Sequence, residues 1–180
     1  MTEPLFFDSD CLSAFLWVDR ECILAKLYPG RIAIPSQIYR ELSHPGLNHL
    51  KGMKAQVDAL VEDGQATVEA FAVDCAEYAL FYKLTQKPDP GHRIIDDGEA
   101  AAIAMAVERG GILASNNLRD ISAYVREYGL IHVTTGDIMK EAMAAGLIDE
   151  AQGNVIWTSM LSRRRRLGYP SFSDYLKDNP

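Results

Sequence analysis

Five short apolar runs alternate along the chain with longer segments in which apolar residues recur every three or four positions. The short runs have the length of β-strands, and the longer segments have the periodicity of helices. Strands that alternate with helices predict a parallel sheet that is covered by helices on both faces. We therefore predict an α/β fold of three layers with a central, mostly parallel five-stranded sheet, its strands at residues 4–8, 31–35, 66–71, 111–115 and 130–135.

The helical pattern is clearest in three regions of the chain. Residues 36–43 and 47–61 read as two helices that "SHPG" at 43–46 separates, because Pro and Gly interrupt helices. After the fifth strand, "GDIMKEAMAAG" and "DEAQGNVIWTSMLSRRRR" are helical in pattern, and "SFSDYLKDNP" is a short helix at most. No repeat or linker interrupts the pattern. We predict a single domain over residues 1–180 with a helical C-terminal extension from about residue 149.

Composition excludes several classes of protein. Hydrophobic residues make up 48% and charged residues 24% of the 180 residues, which is ordinary for a globular protein. No apolar run is long enough to span a bilayer, and the N-terminus lacks the basic and apolar regions of a secretory signal. Cys11, Cys22 and Cys75 match no disulfide or metal spacing. We expect reduced thiols and a cytoplasmic protein that does not contact a membrane.

The formal net charge of −7 argues against a nonspecific nucleic-acid coat protein. It does not exclude an enzyme that acts on nucleic acid, because acids gathered at a metal site are neutralised locally. Basic residues are also segregated, in the run Arg163, Arg164, Arg165 and Arg166. This run has two interpretations: a solvated helix end, or a surface that contacts RNA or a partner protein.

Polar residues collect where the predicted strands end. Ligands of open parallel sheets bind in the crevice beyond the carboxyl ends of the strands. The first strand ends in "FFDSDC", the second leads into a helix, a later helix opens with "DDGEA", and the fourth strand ends in "ASNNLRDI". The residues that we expect to converge at this edge are Asp8, Asp10, Glu41, Glu99, Ser115, Asn117 and Asp120.

Each of these acids also has a structural explanation. Asp8 and Asp10 suit the cap of a first helix, and Asp96 followed by Glu99 resembles a capping box. Glu41 is harder to explain in this way, because it lies near the C-terminal end of its helix, where the dipole disfavours an anion. Glu99 has Ile103 and Ala106 on its face of the helix, so its carboxylate points along a buried stripe. Local rules tend to fail at functional sites, which favours a bound cation.

Together these segments resemble the PIN-domain family, the metal-dependent nucleases that include the VapC toxins of bacterial toxin–antitoxin pairs. The resemblance runs from "FFDSDCLSAFL" through "IPSQIYRELS" and "DDGEAAAIAMAVERGGILASNNLRDI" to the fifth strand. Asp8-Ser9-Asp10 matches the family's acidic triplet after strand one, and Glu41 matches a Glu in the helix after strand two.

Two positions depart from the family pattern. The third acid is usually Asp, whereas Glu99 matches best here and Asp97 is its competitor. After strand four, Asn117 stands where an Asp is common, so Asp120 has to supply the fourth carboxylate.

The resemblance implies a Mg²⁺- or Mn²⁺-dependent endoribonuclease, and hard oxygen ligands suit these ions. It assigns catalysis to Asp8, Glu41, Glu99 and Asp120, and metal binding to Asp8, Glu99 and Asp120. Ser115 and Asn117 would position substrate. The implied partners are RNA, a cognate antitoxin protein and a second copy of the chain.

Two other functions stay open at the level of sequence. A PIN-like module whose site has decayed would bind nucleic acid or protein without catalysis, and Asn117 favours this alternative. The "DSD" triplet is also similar to the first motif of haloacid-dehalogenase-like phosphatases. Leu12 and the lack of a Lys between residues 116 and 136 argue against the phosphatase.

Overall fold

A computed structural model describes residues 3–43 and 51–180 of the chain. All five predicted strands are present as β1 (Leu5–Phe7), β2 (Ile32–Pro35), β3 (Ala66–Glu69), β4 (Ile112–Ala114) and β5 (Ile131–Val133). They form one all-parallel sheet in the order β3-β2-β1-β4-β5. The predicted α/β/α class and parallel sheet are confirmed.

Ten helices flank the sheet in the described part of the chain. They are α1 (Ser9–Leu16), α2 (Glu21–Leu27), α3 (Ser36–Leu42), α4 (Lys51–Glu62), α5 (Ala76–Gln86), α6 (Asp97–Arg109), α7 (Leu118–Tyr128), α8 (Thr135–Ala144), α9 (Glu150–Ser162) and α10 (Phe172–Asp178). The predicted interruption at 43–46 and the start of the following helix at 47–50 lie outside the described residues, apart from Ser43, which ends α3. In the described ranges, no helix is long and apolar enough to cross a membrane.

Successive side chains of a strand point to opposite faces of the sheet, so they pack into two separate hydrophobic cores. Leu5 and Phe7 pack with α1, α3, α4, α8, α9 and α10, whereas Phe6 packs with α5, α6 and α7. Both faces of the sheet are therefore buried, as is usual for parallel sheets. Helix α6 is buried along residues 98–106, and its run of alanines lets it pack closely against the sheet and α5.

The C-terminal helices pack onto the first of these cores. Trp157 of α9 is fully buried, stacks near Phe172 and Tyr175 of α10, and donates from Nε1 to the carbonyl of Tyr169. Gly153 is needed at this contact, because a Cβ there would lie 2.3 Å from the Phe172 ring. The extension that begins near residue 149 is thus integrated into the packing of the fold.

One helix boundary predicted from the sequence is wrong. The arginine run was included in the helix that became α9, but α9 ends at Ser162 and Arg163 is its C-cap. Arg164 has a φ of +60°, which a right-handed helix cannot contain. Adjacent cations repel one another in a helix, and Arg165 finds partners on α1 instead.

Candidate active site

The strand order places one crevice at the centre of the sheet. The chain runs outward from β1 through β2 to β3, then returns to pair β4 with the other side of β1. The place where the chain changes direction across the sheet, between β1 and β4, is called the switch point. Ligands of open parallel sheets bind there, beyond the carboxyl ends of the strands. Phe7 lies beside Ala114 in the sheet, so the next residues, Asp8 and Ser115, emerge side by side at this point.

Asp8 is held there by the backbone and by its own carboxylate. Its N–H donates to the carbonyl of Ala114 at 2.9 Å, and its Oδ1 accepts from the N–H of Cys11 at 2.6 Å. It is the N-cap of α1, so the capping interpretation of Asp8 is confirmed. The same carboxylate accepts a hydrogen bond from Ser115.

The Asp8 carboxylate is an unfavourable charge where it stands. Only 2% of the residue is exposed. The pKa of Asp8 is raised to about 7, mainly by burial and to a smaller extent by the negative charges of Asp10 and Asp96, and the hydrogen bonds from Ser115 and Cys11 offset only part of the rise. A buried carboxylate of this kind is stabilised by protonation or by a cation.

Glu99 is the second buried carboxylate. It lies in the first turn of α6, whose N-cap Asp96 accepts from the Glu99 N–H at 3.1 Å. The pKa of Glu99 is raised to about 8, mainly by burial and also by the charges of Asp8, Asp96 and Asp120, while the hydrogen bond from Asn117 lowers it. These electrostatic interactions connect acids that are far apart in sequence.

Asn117 joins two of the predicted site acids. Its Nδ2 donates to Glu99 Oε2 at 3.2 Å and to Asp120 Oδ2 at 3.0 Å. It is the N-cap of α7 but makes no capping bond, because its side chain is turned to these acids. The other oxygen of Asp120 pairs with Arg93 Nη1 at 2.9 Å.

Glu41 reaches the same edge from α3. An ideal Cβ at Gly98 would lie 3.1 Å from Glu41 Oε1, so the Glu41 carboxylate rests against the first turn of α6. Partial burial raises the pKa of Glu41, and the nearby charges of Asp96 and Asp97 add to the effect. Asp97 is exposed, whereas Glu99 is buried beside Asn117.

The structure brings some of the predicted site residues together and leaves others apart. Glu99 interacts electrostatically with Asp8 and Asp120, while the charges that act on Glu41 are those of Asp96 and Asp97 at the start of α6. Asp10 is mostly exposed and pairs with Arg165 at 3.4 Å. Across residues 3–43 and 51–180, no three His, Cys, Asp or Glu side chains lie close enough to bind one metal ion directly.

The donor atoms at this edge suit a hard divalent cation. They are mainly carboxylate, hydroxyl and amide oxygens. The Cys11 thiol lies near Asp8, but burial and the Asp8 charge raise its pKa well above the usual range, which disfavours the thiolate that zinc requires. Mg²⁺ usually keeps several waters and uses one or two carboxylates, so three direct protein ligands are not required. The pKa values of Asp8 and Glu99 are raised mainly by burial and further by neighbouring carboxylates, so a bound cation would stabilise the ionised form of both groups.

The arginine segment, residues 163–166, lies beside this edge. Arg165 Nη1 contacts Asp10 and donates to Ser13 Oγ at 3.0 Å, and the Arg163 guanidinium lies 5.7 Å from the Trp17 ring centre. The side chains of Arg164 and Arg166 form no hydrogen bond or ion pair with the described residues. Two of the four arginines thus contact the fold, and the other two have no charged partner among the described residues.

Three features of the site were not expected from the sequence. Arg93 comes from the loop before α6, and nothing in "PGHRII" marks it as a partner of Asp120. Asp96 was read only as a cap, yet its charge acts on Asp8, Glu41 and Glu99. Gly98, in the first turn of a helix, was the available signal for a close approach at that point.

Comparison with known proteins agrees with the geometry. A family model described as a PIN domain matches residues 5–178, nearly the whole chain. Comparison with curated proteins gave no match.

Proposed function

The chain belongs to the PIN-domain family, and from this premise we propose that it is a Mg²⁺- or Mn²⁺-dependent endoribonuclease that hydrolyses RNA phosphodiester bonds. PIN domains are generally nucleases. The observation that carries the proposal is a pair of buried carboxyls, Asp8 and Glu99, at the switch point of the sheet. Charge of this kind in a crevice is a mark of a functional site.

In the proposed mechanism, the residues that would hold the cation, directly or through water, are Asp8, Glu99 and Asp120. When bound, a divalent ion lowers the pKa of a coordinated water and neutralises charge on the scissile phosphate. Ser115 fixes the orientation of the Asp8 carboxylate, and Asn117 fixes those of Glu99 and Asp120. The raised pKa of Glu41 suits it to accept a proton from the attacking water.

The arginine segment is proposed to attract the RNA backbone. Arg164 and Arg166 carry free charges, and Arg165 lies against Asp10, two residues from Asp8. A cationic segment beside an acidic edge raises the local concentration of a polyanion that the rest of the chain, at net charge −7, would repel.

We further propose a biological setting that rests on the resemblance to VapC toxins. In this setting the enzyme is the cytoplasmic toxin of a toxin–antitoxin pair, forms a homodimer and binds an antitoxin encoded beside it. Light scattering of the purified protein tests the dimer. A small reading frame next to the gene, whose product co-purifies with the chain, tests the antitoxin.

Cleavage of a labelled single-stranded RNA tests the nuclease proposal. We expect cleavage in Mg²⁺ or Mn²⁺, none in EDTA, and a loss of at least a hundredfold in Asp8→Asn. Asp10→Asn is the matched control, because it removes an exposed carboxylate two residues away. Undiminished cleavage by purified Asp8→Asn would mean that a contaminating nuclease, or another site, is responsible.

A second candidate is a binding module whose catalytic site has decayed. Asn117 favours it, since one amide already satisfies both Glu99 and Asp120 without a cation. Calorimetric titration with Mn²⁺ separates the two candidates. The nuclease binds Mn²⁺ with an affinity that Asp8→Asn lowers at least tenfold, whereas the decayed module binds it weakly and equally with or without Asp8. Membership of the PIN family argues against the phosphatase alternative.

A further inference from the structure

A cavity of about 330 Å³ lies beside the acidic edge, between the ends of β4 and β5 and the C-terminal extension. Its walls come from the loop after β4, from β5 and α8, and from the segment that joins α9 to α10. The lining residues that matter here are Asn116, His132, Asp137, Arg166, Tyr169 and Asn179. The volume is in the range of small-ligand sites in proteins.

The cavity has a cationic lining residue. Arg166 lines it, is exposed, and forms no side-chain hydrogen bond or ion pair with the described residues. The Asp137 carboxylate, which also lines the cavity, accepts from Tyr175 at 2.6 Å and from the N–H and hydroxyl of Thr134. An anionic group would therefore bind at Arg166 and avoid Asp137.

The rest of the cavity suits a flat polar ring. Tyr169 meets Tyr175 edge to face at an interplanar angle of 89°, an arrangement that covers at most one face of Tyr169. His132 Nε2 lies 2.8 Å from the carbonyl of Ser115, so Nδ1 of the neutral ring is left as an acceptor. Asn179 Oδ1 accepts no hydrogen bond from the described residues, which leaves a second acceptor.

The cavity adjoins the acidic cluster through shared backbone. Asn116 lines the cavity, and Asn117, the next residue, binds Glu99 and Asp120. Ser115 likewise serves both sides, since its carbonyl contacts His132 and its hydroxyl contacts Asp8. If one phosphate of a nucleic-acid strand lies at the acidic cluster, the adjacent nucleotide therefore lies at the cavity.

We propose that this cavity binds a nucleotide of single-stranded RNA next to the scissile phosphate. Its base stacks on Tyr169 and hydrogen-bonds to His132 and Asn179, and its phosphate pairs with Arg166. The inference rests on the proposed ribonuclease function for its placement relative to the cut. Stacking on aromatic rings together with a backbone cation is the usual means by which proteins bind single strands.

Binding of a fluorescent single-stranded RNA to Asp8→Asn, measured by anisotropy in Mg²⁺, tests the proposal without requiring cleavage. In that background, Tyr169→Leu should weaken binding about 5- to 150-fold, the equivalent of one lost base stack. Arg166→Gln should weaken it about fivefold, and the loss should shrink as salt rises. Arg126→Gln, which removes an equal charge near the far end of α7, is the control and should bind like the parent.

Equal binding by Arg166→Gln and the parent would overturn the proposal, as would an equal loss in the Arg126→Gln control. No RNA binding by the parent would overturn it as well. If Tyr169→Leu melts at a lower temperature than the parent, its weaker binding could reflect misfolding, and the binding of Arg166→Gln alone then tests the proposal. A wild-type protein that cleaves no RNA, with the pocket variants still weakened, would refute the nuclease and leave this binding site standing.

Discussion

Replacing Asp8 by Asn should stabilise the protein in metal-free buffer at alkaline pH. Asp8 is almost fully buried, and its pKa is raised from an ordinary 3.8 to about 7. A pKa shift of this size means that the ionised Asp8 carboxylate lowers the free energy of unfolding by about 4 kcal/mol. Asn keeps an oxygen for the Cys11 N–H, so the helix cap survives the change.

The effect has a defined pH window. An acid whose pKa is raised by folding binds its proton more tightly in the folded state, so the cost is absent below about pH 4. It develops as pH rises towards 7 and is complete at about pH 8. Because the surroundings relax when Asp8 ionises, we expect about 2–4 kcal/mol at pH 8, a rise in Tm of roughly 5–15 °C for a chain of this length.

Thermal melts of wild type and Asp8→Asn in EDTA, from pH 4 to pH 8, measure this directly. The two proteins should melt together at pH 4 and separate progressively as pH rises. Asp10→Asn is the matched control and should differ from wild type by no more than about 0.5 kcal/mol at any pH. An Asp8→Asn variant that melts lower at pH 8 would mean that the Asp8 carboxylate stabilises the fold, and the reasoning would be refuted.

Three further predictions follow from the geometry of the site. Gly98→Ala places a methyl 3.0 Å from Ile38 Cγ1 and 3.1 Å from Glu41 Oε1, so the Glu41 carboxylate has to shift and RNA cleavage should fall about tenfold. The melt should hardly change, because the better helix propensity of Ala offsets the contact with Ile38; a melt several degrees lower would contradict this. Asn117→Asp removes two donated hydrogen bonds and adds a charge, so calorimetry should find tighter Mn²⁺ binding, and melts in EDTA a less stable protein. Arg93→Gln frees Asp120 of a competing cation, so Mn²⁺ should bind about two- to fivefold tighter in low salt; unchanged affinity would exclude Asp120 from the metal site.

The strands could be predicted from the sequence because each is a short apolar run, and in the central strands β1 and β2 every residue is buried. The order of the strands in the sheet was not predicted. Phe6 and Phe7 both lie in cores, on opposite faces of the sheet. The predicted site follows from the same strands. Because β1 and β4 are parallel, the residues that follow them, Asp8 and Ser115, lie at the same edge of the sheet. Glu99 was the stronger candidate over Asp97 because its helical face is apolar, and it is the buried one of the two.

The remaining features depend on contacts that no local pattern encodes. The arginine segment looked helical because arginine favours helices, but Arg165 binds α1, about 150 residues away in sequence. Arg93 reaches Asp120 from a loop for which the sequence gives no distance or direction. The cavity below Arg166 requires the packing of α9 and α10 on α8, which only the folded chain supplies.

Anomalous diffraction at the manganese edge, from a crystal of the wild-type protein grown in Mn²⁺, tests the central claim most directly. We predict an anomalous peak in the crevice between β1 and β4, within coordination distance of Asp8 or Glu99 and bridged by water to the other acids. The same peak should be lost in Asp8→Asn. A fully occupied Mn²⁺ elsewhere on the chain, with none at Asp8 or Glu99, would contradict the assignment of this edge as a metal-dependent catalytic centre.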